Sequence, residues 1–79
     1  MRTPQEAINK LAPICKDNLE LYSGFIYQYR GDEDKDHRHA WEMKLLGYLR
    51  ALCDMQIITA QDRHDLYCYY MIAGKELKS

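Results

Sequence analysis

The residues best able to do chemistry crowd into one stretch, D-E-D-K-D-H-R-H, residues 32–39. Asp32, Asp34 and Asp36 repeat the first, third and fifth positions of a calcium-binding EF-hand loop. The remainder of such a loop is missing. Its sharp turn needs glycine at the sixth position, where His37 stands, and a bidentate glutamate at the twelfth, where Met43 stands. For a transition metal, Asp36 with His39, or Glu33 with His37, has helical spacing. His37 and His39, two apart, point to nearly opposite faces of a helix. A metal site needs three or four ligands, and no spacing signal brings His64 or a cysteine to these residues. The stretch therefore reads as a solvated turn whose aspartates cap the next helix, with no metal and no cofactor expected.

Hydrolysis or acyl transfer needs a nucleophile, a base and an orienting group in contact. Cys15, Cys53, Cys68 and the histidines are scattered along amphipathic segments, and no G-x-S-x-G, H-E-x-x-H or phosphate-cradling glycine loop occurs. No residue is assigned a catalytic role, and the expectation is a non-enzyme. DNA binding is the alternative. Two helices joined by a short turn, from Trp41 to Ala73, have the outline of a helix-turn-helix. Gln61, Arg63 and His64 would face bases, but Asp62 and Asp65 would face phosphates. With a net charge of −1 and no basic face, nucleic acid is the disfavoured partner.

The elements that must position any site follow from a chain of 79 residues, which makes a single domain, residues 1–79, with a thin core. Three unpaired-looking cysteines, no CxxC, and polar residues directly after Met1 point to reduced thiols in a cytoplasmic protein. No apolar run approaches the ~20 residues of a membrane span. Seven tyrosines are the compositional excess. Tyrosine suits both an intermittently covered surface and the wet margin of a small core.

Periodicity of the apolar residues predicts an all-α fold, a compact bundle of three main helices plus a short N-terminal one. Thr3-Pro4-Gln5-Glu6 has the form of a capping box with proline at the first helical position. Pro13 interrupts the pattern, so a short helix is expected over residues 4–11 and a longer one over 13–30. Residues 31–36 read as a polar loop, with Asp34 or Asp36 as the cap of a helix running to about Met55. Thr59 then caps a last helix that ends near Ala73, with Gly74 in the left-handed position after it. The expected core comprises Leu11, Leu19, Tyr22, Ile26, Trp41, Leu45, Leu49, Leu52, Leu66 and Tyr70.

Leu66 to Ala73 is an unbroken apolar run, and a helix apolar on all sides must be covered on all sides. Either this helix is central or its outer face meets another protein. Tyr69, Ile72 and Cys68 lie off the Leu66/Tyr70 stripe and are the candidate contacts. Asp32, Glu33 and Asp34 form an acidic cluster suited to steering a basic partner. The functional expectation is a small regulatory or inhibitory protein that binds another protein, the partner being a different chain or a second copy in a homodimer.

Overall fold

Both prolines sit at the start of a helix, where a missing amide donor costs nothing. In the computed structural model, which describes residues 3–77, α1 spans Pro4–Asn9 and α2 spans Pro13–Gln28. The break between them is imposed by Pro13, which drives Ala12 into extended backbone (φ −62°, ψ 150°). The two helices expected on either side of Pro13 are therefore separate, each slightly shorter than its periodicity predicts. The capping box expected at Thr3 does not form. The Glu6 amide donates to the Thr3 backbone carbonyl at 3.1 Å, and the Thr3 side chain makes no cap bond.

The polar loop is shorter than its composition suggests. Asp32–Asp34 form a 3-10 turn, and α3 begins at once, spanning Lys35–Asp54. Asp36 thus lies inside the first turn of α3, where its charge suits the helix dipole. Asp34 takes the N-cap position but makes no side-chain cap bond. A different residue holds this junction. The Arg38 guanidinium reaches back from α3 and donates through Nη1 to the carbonyls of Tyr29, Arg30 and Gly31, at 3.0–3.3 Å. It thereby satisfies carbonyls just past the end of α2 and ties that end to α3.

After α3 the chain turns through Gln56, whose φ of 62° is the one positive value among the described residues. The Gln56 amide bonds the Cys53 carbonyl and the Ile57 amide bonds the Leu52 carbonyl, both at 2.9 Å. That is a complete Schellman motif with glutamine where glycine is usual. Thr59 and Asp62 then form the reciprocal cap that Thr3 and Glu6 do not. The Asp62 amide donates to Thr59 Oγ1 at 3.0 Å, and the Thr59 amide donates to Asp62 Oδ2 at 3.1 Å.

The last helix, α4, spans Ala60–Leu77, so the stop expected at Gly74 is overturned. Gly74 is buried within the helix, because it is the point of closest approach to α2. A Cβ built there would lie 2.7 Å from the Ser23 carbonyl carbon and 2.9 Å from the Tyr27 Cβ. Ser23 and Gly24 are buried on the facing side of α2, and the Ser23 hydroxyl donates to the Tyr70 carbonyl. Small residues thus set a tight α2–α4 crossing.

Helix α4 packs against each of α1, α2 and α3, which accounts for much of its apolar run: it is the central element. Leu19, Leu45, Leu49 and Leu66 are fully buried, joined by Leu11, Ile26, Leu52 and Tyr70, and also by Ala7, Ile8 and Ile58. Tyr22 and Trp41, expected in the core, are half-buried at its edge. No strand occurs among the described residues, and no helix is long and apolar enough to cross a membrane.

Candidate interaction surface

The edge of the core between α2 and α3 is an aromatic seam. Trp41 stacks on Phe25 (centroids 4.2 Å apart, planes within 7°) and touches Tyr22, which meets Tyr48 edge-on at 5.7 Å. In the other direction Phe25 neighbours Tyr29, and Tyr29 stacks on His37 at 5.2 Å. These rings are half-buried, apart from the exposed His37. Asn18 donates to the Tyr48 hydroxyl at 3.2 Å. That bond lowers the Tyr48 pKa, but burial and the Cys15 thiol outweigh it, and the net shift is upward. Tyr22 on α2 and Tyr48 on α3 therefore join Phe25 and Trp41 in zipping the two helices together at the margin of the core.

On the neighbouring face, α2, α3 and α4 enclose a groove of about 640 Å³. Ile26, Met71 and Ile72 supply apolar surface, and Tyr27, Arg30, Asp32, Arg38, Glu42 and Lys75 complete its lining. Several rim charges are already fixed. Arg38 is held by the carbonyls that follow α2 and lies 3.7 Å from Glu42. Arg30 donates to the Tyr27 carbonyl at 3.0 Å and covers the Tyr27 ring at 4.1 Å. The result is an apolar trough with preset polar edges.

The sequence-derived candidates fall on different parts of this surface. Ile72 is 74% exposed and lines the groove together with Asp32, so two residues from separate clusters converge. Glu33 is exposed and Asp34 half-exposed on the adjoining 3-10 turn, and neither lines the groove. Tyr69 is exposed elsewhere on α4, meeting Tyr70 edge-on at 5.0 Å, beside a small cavity bordered by α1. Cys68 is the exposed thiol, with its Sγ 3.9 Å from His64 Nε2 one turn earlier. Spacing of i and i+4 on one helix was the available signal for that pair. The imidazole bonds no further side chain among the described residues.

The histidines of the acidic stretch go separate ways, as their spacing requires. His37 lies against Tyr29, while His39 Nδ1 is 3.8 Å from Glu42. Among the described residues no group of three or more histidine, cysteine or acidic side chains is placed to hold a metal. Asp62, expected to face phosphates in a helix-turn-helix, is 4% exposed and turned onto its own cap. Asp65 accepts from Gln61 at 2.9 Å.

No protein-family model matches this chain, and neither the curated proteins nor the solved structures contain a match to it.

Proposed function

We propose that this protein is a small non-enzymatic regulator or inhibitor that acts by binding another protein through the α2/α3/α4 groove. The observation that carries the reading is Ile72. A branched apolar side chain stands three-quarters exposed in a groove it shares with Met71, Ile26 and a mixed-charge rim. Burying such a side chain contributes about 1.5–3 kcal/mol, and arginine and tyrosine at the edges are residues that anchor interfaces. A partner segment would insert an apolar side chain beside Ile72, with a carboxylate toward Lys75 and Arg30. The three free cysteines support a reducing, cytoplasmic setting.

The test compares the native chain with Ile72→Asp in affinity capture from the source cells, with and without nuclease. Because Ile72 is exposed, the variant is expected to keep its helical circular dichroism and its melting point while losing a nuclease-resistant partner. Retention of that partner would overturn the groove as the docking site. Loss of every partner on nuclease treatment would favour the helix-turn-helix reading. The acidic turn has its own expected outcome. Neutralising Asp32, Glu33 and Asp34 should slow association with the captured partner and flatten its salt dependence, since exposed charges act mainly on encounter.

A further inference from the structure

A second cavity, of about 400 Å³, lies between α3 and α4 and is lined by Leu46, Arg50, Arg63, His64 and Tyr67. Its composition differs from that of the groove. Every polar side chain in the lining is a guanidinium, an imidazole or a phenol, all able to donate, and no carboxylate lines it. The other two arginines among the described residues are engaged: Arg30 by Tyr27, and Arg38 by three carbonyls and Glu42. The guanidinium groups of Arg50 and Arg63 make no ion pair or hydrogen bond with any other described residue.

The neighbouring acids do not fill that role. Asp62 is buried on the Thr59 cap, Asp65 accepts from Gln61, and Glu42 is held between Arg38 and His39. Asp54, one turn beyond Arg50, stands outside ion-pair distance. Arg50 is exposed and Arg63 half-buried, so water screens their mutual repulsion in part, and an anion seated between them would be attracted by both.

We propose that this cavity binds the phosphoryl group of a small phosphorylated molecule. A guanidinium presents a planar fork that matches phosphate oxygens two at a time, and one fork from each helix suits a dianion better than a single carboxylate. The Tyr67 phenol, whose pKa is raised first by burial and then by the Glu42 and Cys68 charges, is a further donor in the lining. At roughly 30 Å³ per water, the cavity exceeds what the four oxygens of phosphate fill. Leu46 and the Tyr67 ring complete the lining and supply apolar surface for the body of a metabolite. This site is separate from the groove and does not depend on it.

The experiment titrates the full chain with inorganic phosphate, with adenosine monophosphate and with a short DNA duplex, against sodium chloride at matched ionic strength. Nitrogen-15 NMR reads both the backbone and the arginine Nε signals. Saturable shifts are expected at Arg50, Arg63 and Tyr67 with phosphate or the nucleotide. Arg50→Ala and Arg63→Ala should each weaken binding about tenfold or more, as expected for loss of a hydrogen bond to a charged group, with their helical spectra unchanged. Tighter binding of the nucleotide identifies an organic phosphate, and equal binding identifies phosphate itself. No saturable response to either small probe, or a response that survives in both variants, overturns the proposal. Saturation by the duplex alone also overturns it, in favour of a nucleic-acid backbone.

Discussion

Gln56 bears the clearest strain in the molecule. Its φ of 62° is forced by the Schellman geometry that closes α3, and a side chain in that region costs roughly 1–2 kcal/mol relative to glycine. Part of that gain is offset by the greater entropy glycine brings to the unfolded chain. Gln56→Gly is therefore expected to stabilise the fold by about 0.5–1 kcal/mol, seen as a higher urea midpoint with unchanged slope. Nothing local announced this position, because glutamine has no preference for left-handed backbone. It is fixed by Cys53 and Leu52 behind it and by the need to bury Ile58 ahead. Thr59 was legible for the opposite reason: its cap is completed by Asp62, three residues away, within reach of local reasoning. Thr3 carries the same signature, but at an exposed end with Glu6 in solvent the backbone carbonyl suffices.

Among the elements, two glycines inside helices make opposite demands. Gly47 lies on the exposed side of α3 with nothing within 4 Å of a Cβ built there. Gly47→Ala should gain about 1 kcal/mol from helix propensity alone. Gly74→Ala gains the same propensity but drives a methyl group into the Ser23 carbonyl, which is backbone and cannot swing aside. Overpacking of this kind costs about 1–3 kcal/mol or more, so the net effect is destabilising, and α2 and α4 must separate to accept it. Thermal melts of the two variants, shifting in opposite directions from the native chain, check both claims at once. The same contrast shows why Gly74 misleads a reader of the sequence. Glycine ends helices and it also lets helices touch. Only the position of Ser23 in space decides between the two.

At the scale of the whole molecule, the apolar patterning was enough to give the helices and most of the core, because a period of three to four residues is written in the chain. Which exposed residues share a groove was not, since Ile72 and Asp32 come to line one groove only after α4 packs against α2 and α3. The tyrosines sit between these cases, and they make the fold sensitive to alkali. Tyr70 is 3% exposed. Burial first, then the Tyr69 and Glu20 charges, raise its pKa from 10.0 to about 12, and Tyr48 and Tyr67 are shifted upward as well. A raised pKa means that the native state keeps a proton the unfolded chain has already lost. The stability this group contributes is complete below pH 10 and is lost as pH rises towards about 12. Alkaline unfolding followed by circular dichroism should therefore coincide with the late part of the tyrosinate absorbance change, after the exposed rings have ionised. The Tyr70 ring packs in the core, and its hydroxyl makes no hydrogen bond among the described residues, so Tyr70→Phe keeps the packing and removes the titration. That variant is expected to unfold at a higher pH than the native chain while melting at a similar temperature near neutrality. An unchanged alkaline midpoint would show that ionisation of Tyr70 does not drive the transition.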